Sequence, residues 1–145
     1  MRVFLLLLCV FLIAACSEKS GNSFTKIPDN DQSIAMKVEQ LPEKTPRFYE
    51  ISSGNKKIEF FVIALDGKPG AYLNRCRKCF NSGLGFRFNE DIITCKTCNE
   101  SFPLTEIPTG VGSCHPIRVK GNLSDGSFIV ERKAVYYAYL NPSKL

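Results

Sequence analysis

The spacing of five cysteines constrains this chain more than any other feature. Cys76 and Cys79 enclose two residues, as do Cys95 and Cys98; fifteen residues part the pairs, and fifteen more precede Cys114-His115. Two residues between cysteines let both sulfurs face one centre without straining the backbone. Two such pairs brought together by folding offer four thiolates, a donor set for Zn²⁺ or an iron–sulfur cluster. The separation lies within the range of metal sites. Either pair alone is a weak signal; the repetition makes it a strong one. Two disulfides, or one redox-active dithiol, are competing readings of the same residues. The dithiol needs a βαβ setting, and no window shows the helical periodicity to supply it. Covalent haem attachment is excluded, because Phe80 and Asn99 rather than histidine follow the pairs.

Cysteine parity also bears on the choice. Of seven cysteines, Cys9 lies within an apolar run and Cys16 ends it, leaving five beyond that point. Complete pairing as disulfides would orphan one thiol. Four metal ligands and one further cysteine need no such exception.

The amino terminus has a basic start, Met1-Arg2, and an apolar run from Val3 to Ala15, too short to span a bilayer. It fits a signal peptide over residues 1–15. Leu12-Ile13-Ala14-Ala15-Cys16 resembles a bacterial lipobox, which implies cleavage before Cys16 and lipidation of that cysteine. More than one acyl chain makes such anchoring stable. An ordinary cleaved signal with a free Cys16 is the alternative. Residues 16–32, rich in Ser, Asn, Lys and Asp, are expected to be a flexible tether, and residues 33–145 a β-rich domain. That organisation puts the protein in the cell envelope, held on a membrane and facing the periplasm or exterior.

With 145 residues and eleven Phe, the chain has room for one compact core. A net charge of +5, spread along the sequence, does not form the concentrated basic face of a nucleic-acid binder. Strand patterns fall at Ile34 to Val38, Lys57 to Leu65, Ala71 to Asn74, Phe86 to Phe88, Ile92 to Thr94, Ser127 to Glu131 and Ala134 to Leu140. Asp66-Gly67-Lys68-Pro69-Gly70 and Asn122 to Gly126 read as turns. The expected fold is a small, mostly β domain with each cysteine pair on a hairpin knuckle, ribbon-like or Rieske-like in architecture.

Zinc on four thiolates would be structural, whereas an iron–sulfur cluster would carry single electrons. Arg75, Arg77, Lys78, Arg87 and Lys96 surround the pairs and would offset thiolate charge or meet an acidic redox partner. Cys114 and His115 are candidates to complete the coordination or to cap it. No Ser/His/Asp set, phosphate loop or carboxylate pair marks a catalytic site, so an electron carrier or binding module is expected rather than a hydrolytic enzyme.

Residues from about Glu59 to Ile117 resemble the FtrD-like family of bacterial membrane iron–sulfur proteins. The matching features are Asp66-Gly67, Cys76-x2-Cys79 with Gly85 beyond it, Ile93-Thr94-Cys95-Lys96-x-Cys98 with Phe102, and Gly112-Ser113-Cys114-His115-Pro116-Ile117. Ser113 and His115 depart from the family's Gly-Gly-Cys-Asn-Pro ending. The resemblance implies a cluster on Cys76, Cys79, Cys95 and Cys98, electron transfer, and an iron permease as partner, with a lipid anchor in place of membrane helices. A fainter likeness to Rieske proteins concerns the separation of the two ligand loops, but Cys79 and Cys98 stand where those carry histidines. Export without a twin-arginine signal would require cluster acquisition outside the cytoplasm, which keeps zinc or disulfides open.

Overall fold

The computed structural model of the chain describes residues 22–110 and 114–144. The expected signal peptide and Cys16 lie outside these residues. In chain order the elements are β1 (Phe24–Lys26), β2 (Ser33–Lys37), β3 (Arg47–Ser53), β4 (Lys56–Leu65), β5 (Lys68–Cys76), β6 (Phe86–Asn89), β7 (Ile92–Cys95), β8 (Ser101–Pro103), β9 (Pro116–Val119), β10 (Gly121–Ser124), β11 (Ser127–Glu131) and α1 (Arg132–Leu140). The domain is mostly β, as expected. Three sheets result, in the orders β1-β3-β4-β5-β9, β10-β11-β2 and β6-β7-β8.

β4 is the centre of the molecule, and its composition explains why. An unbroken apolar run cannot show one face to water, so it is buried on both. Phe60, Val62 and Ala64 point to one side, into a core with Ile51, Leu73, Ile117, Phe128, Val130 and the helix residues Val135 and Ala138. Phe61, Ile63 and Leu65 point to the other, against Tyr72, Phe86, Ile93, Phe102, Leu104 and three of the cysteines. The large sheet is therefore a partition with a hydrocarbon core on one side and the cysteine-bearing sheet on the other. β4 turns into β5 at Asp66-Gly67, whose φ values of 52° and 70° are those of a tight primed hairpin turn.

Two expectations are corrected. Ala134 to Leu140 is not a strand: it lies in α1. Val135 and three tyrosines favour extended backbone on propensity. Yet Arg132, Val135 and Ala138 recur every three residues, and that stripe buries one helical face against the sheet. Residues 16–32 are not all tether either. Phe24–Lys26 pairs parallel with β3, Phe24 opposite Phe48 and Lys26 opposite Glu50. Arg132 is the physical reason the following residues are held. Its guanidinium donates to the carbonyls of Asp31 at 2.8 Å and Pro28 at 2.5 Å, and its backbone N–H to Gln32 at 2.8 Å.

Candidate metal centre

β5 runs directly into the first knuckle and ends on Cys76; β7 runs into the second and ends on Cys95. Each knuckle is a local turn closed by its own backbone. In the first, Ser82 donates to the Cys79 carbonyl through its N–H at 3.2 Å and its hydroxyl at 2.7 Å. In the second, the Asn99 N–H reaches the Cys95 carbonyl at 2.9 Å, with Asn99 at a φ of 58°. The knuckles then bond to each other, Ser82 to Thr97 through their hydroxyls at 3.0 Å and the Lys96 N–H to the Gly85 carbonyl at 3.0 Å. The third segment arrives through β9, where Pro116 lies opposite Cys76 and the Arg77 N–H donates to the His115 carbonyl at 3.1 Å.

All five cysteines converge as free thiols. Their sulfurs form two triads, Cys76–Cys79–Cys95 and Cys79–Cys98–Cys114, with every distance inside a triad below 4.8 Å and Cys79 common to both. The Cys98 and Cys114 sulfurs are 3.2 Å apart. Cys76, Cys95 and Cys114 are buried, Cys79 is half-buried and Cys98 is exposed, so the nest opens to solvent along one edge. The two motif pairs thus meet as the spacing implied, and Cys114, left ambiguous by the sequence, stands among them. His115 belongs to neither triad. Its ring stacks on Phe102 with centroids 4.1 Å apart, and both ring nitrogens are buried with no hydrogen-bond partner among the described residues.

The thiols differ sharply in acidity. The Glu100 backbone N–H, and after it the Cys114 thiol, lower Cys98 to about 7. Loss of solvent raises Cys79 to about 12, with the bond to Cys98 the next cause. Burial first, then Cys98, pushes Cys114 far up, and burial raises Cys95 despite backbone N–H donors from Cys98 and Thr97. Cys98 therefore ionises more readily than Cys79, Cys95 and Cys114, which must do so in drier places beside like charge. A cation at the centre reverses that penalty. Burial also lowers the pKa of His115, which leaves the ring neutral at neutral pH.

Three further residues shape the nest: Gly85 and Arg75, which the sequence placed near the pairs without their partners, and Asn74, which carries no sequence signal. Asn74, buried on β5, donates through Nδ2 to Glu59 at 2.9 Å and accepts the Phe86 N–H on Oδ1 at 3.0 Å. It fastens the large sheet to β6, the strand paired with β7. Gly85, at a φ of 71°, must be glycine, because a Cβ there would run into the Asn74 amide. Arg75 donates to the Phe80 carbonyl at 2.8 Å and lies over both Phe80 and Tyr139, which links the first knuckle to α1. An amide or an arginine within a strand does not declare its partner; only the fold supplies it.

A family model for the membrane iron–sulfur containing protein FtrD-like matches residues 41–139, well over half of the chain. The chain belongs to this family. Among solved structures, a chain in the complex of reduced oxygenase and oxidized ferredoxin in carbazole 1,9a-dioxygenase is similar, with 14% identity and a TM-score of 0.43 over 68% of this chain and 93% of that one. No curated protein matches the chain. The family's cofactor is iron–sulfur, and the residues present fit it. Soft thiolates are the donors such a group takes, three of the five lie out of water, and their spread over two triads exceeds what one tetrahedral ion needs. No helix among the described residues is long and apolar enough to cross a membrane.

Proposed function

We propose that the protein is a membrane-attached electron-transfer component that serves iron uptake, with Cys76, Cys79, Cys95 and Cys98 holding the iron–sulfur group and Cys114 closing the nest. The observation that carries this reading is the convergence of five free sulfurs beneath one exposed edge, in a chain of an iron–sulfur family. When bound, the group supplies one-electron chemistry at a potential set by hydrogen bonds and solvent exposure.

The chain's own residues define how that chemistry would be reached. Phe86, Ile93, Phe102 and Leu104 keep water from the inner sulfurs. Cys79 lies in an open cleft with Arg77, Lys78, Phe80, Ser82 and Thr97, and Cys98 is exposed on the neighbouring knuckle. The cationic rim offsets thiolate charge and favours an acidic redox partner, consistent with an iron permease complex. A lipid on Cys16 would hold the domain at the membrane of the cell envelope. Anaerobic purification with iron, acid-labile sulfide and free-thiol counts tests the reading. Iron with sulfide supports it; zinc without sulfide, or oxidised cysteines without metal, overturns it in favour of a structural zinc domain or a disulfide-stabilised lipoprotein. Mass spectrometry of the amino-terminal peptide tests the lipid separately.

A further inference from the structure

The turn end of the β4–β5 hairpin forms a hollow well apart from the sulfurs. Along β5, Lys68, Gly70 and Tyr72 share one face, and their partners Leu65, Ile63 and Phe61 on β4 point the same way. Arg118, opposite Tyr72 on β9, joins that row. Gly70 brings no side chain to it, so a gap opens between Lys68 and Tyr72. Thr105, on the short turn Leu104–Glu106, and Pro108 complete the lining of a cavity of about 290 Å³. Gly70 is about 20 Å of extended strand from Cys76, so this cavity is not part of the metal centre.

The lining combines two chemistries. Its floor is apolar, from the buried Ile63 and Leu65. Its rim carries donors: Lys68, Arg118, the Thr105 hydroxyl and the Tyr72 phenol. The Tyr72 ring is fixed, 3% exposed and stacked on Phe61 with centroids 5.6 Å apart. Its hydroxyl crosses Gly70, where a Cβ would come within 2.8 Å of it. Burial raises the Tyr72 pKa against the opposing pull of Arg118, so the phenol keeps its proton and can donate. Asp66 also borders the cavity, yet neither Lys68 nor Arg118 forms an ion pair with it or with another carboxylate among the described residues. In register the two cations stand about 13 Å apart along the sheet. One compact anion between them would leave the apolar floor bare. A short carbon chain with a carboxylate at each end covers the floor and meets both charges. We infer that this hollow binds a small dicarboxylate, with Arg118 and Tyr72 on one carboxylate, Lys68 on the other and Ile63 and Leu65 beneath the chain. The guanidinium fork suits a carboxylate bidentately. The site stands apart from the iron–sulfur reading and does not depend on it.

The test uses the full chain with its native metal content, titrated calorimetrically with glutarate and adipate, and with butyrate and inorganic phosphate for comparison. The expected result is saturable one-to-one binding of a dicarboxylate, tighter than butyrate or phosphate by roughly tenfold or more and weakened by added salt. Arg118→Gln and Lys68→Gln, both at exposed positions, should each weaken it roughly tenfold. Tyr72→Phe keeps the ring and should weaken it less. Because a variant can disturb the fold, backbone NMR of the unaltered chain supplies the second readout, with shifts on adding the dicarboxylate centred on Lys68 to Tyr72, Thr105 and Arg118. Phosphate or butyrate binding as tightly as either dicarboxylate, undiminished affinity in Arg118→Gln, or shifts centred elsewhere overturns the proposal. Iron and sulfide are counted on the same samples, so this conclusion and the metal reading can fail separately.

Discussion

The two sides of the large sheet are held together in different ways. On one, α1 and the β2-β11 face close over Phe60, Val62 and Leu73 with side chains that include no thiol. On the other, β6, β7 and β8, of four, four and three residues, carry most of the covering layer, and part of what they bury is thiol. Strands that short supply little area of their own. The first side is a core that any domain of this size needs. The second is a core that a bound metal group completes, and β4, buried on both faces, is the wall they share.

This contrast can be broken most forcefully at the wall. Phe60→Ala removes a fully buried ring from the hydrocarbon side and should cost about 3–5 kcal/mol. Denaturant unfolding should show both sides melting together; survival of the helix-side core alone would mean that the two are independent. Asn74→Ala sharpens the same question from the other side. It leaves the Phe86 N–H and Glu59 without their partner and should cost about 1–3 kcal/mol. Hydrogen exchange should rise over residues 86–95 and stay low in β3 and α1.

The smaller effects are electrostatic. Burial depresses His115, so its contribution to stability is present above the unfolded histidine value of about 6.5 and is lost as pH falls through the lower folded value. His115→Phe keeps an aromatic ring against Phe102 and should flatten the acid limb of the stability curve; an unchanged limb refutes the assignment. Smallest is a difference among the thiols themselves. In metal-free protein, alkylation at Cys98 should rise through pH of about 7, ahead of Cys79, and peptide mapping would reveal the reverse order if the acidity ranking is wrong.

What the sequence disclosed follows the same division. β4 was legible because eight of its ten positions form one apolar-rich stretch from Ile58, and the knuckles because cysteine spacing is a local property. α1 was not, since Val135, Tyr136, Tyr137 and Tyr139 suit a strand until tertiary packing selects the Arg132–Val135–Ala138 face. β3 lay hidden behind Pro46, and β1 is three residues that pair in parallel with a strand more than twenty residues away. Within the site, the four motif cysteines were readable, whereas Cys114 became a member only through the pairing of β9 with β5. Asn74 could not be seen at all.

The ordering of Phe24–Lys26 changes the protein's reach. Asn22 already hydrogen-bonds the Phe86 carbonyl at 3.2 Å, on the strand opposite Cys95. Were Cys16 fixed in a bilayer, only six residue steps would separate it from that contact, a leash of about 20 Å at full stretch rather than the nearly threefold longer one of an unfolded segment to residue 32. So short a leash starting beside the sulfur nest would confine the domain to a shallow layer above the lipid, where a partner would have to present its own redox group close to the headgroups.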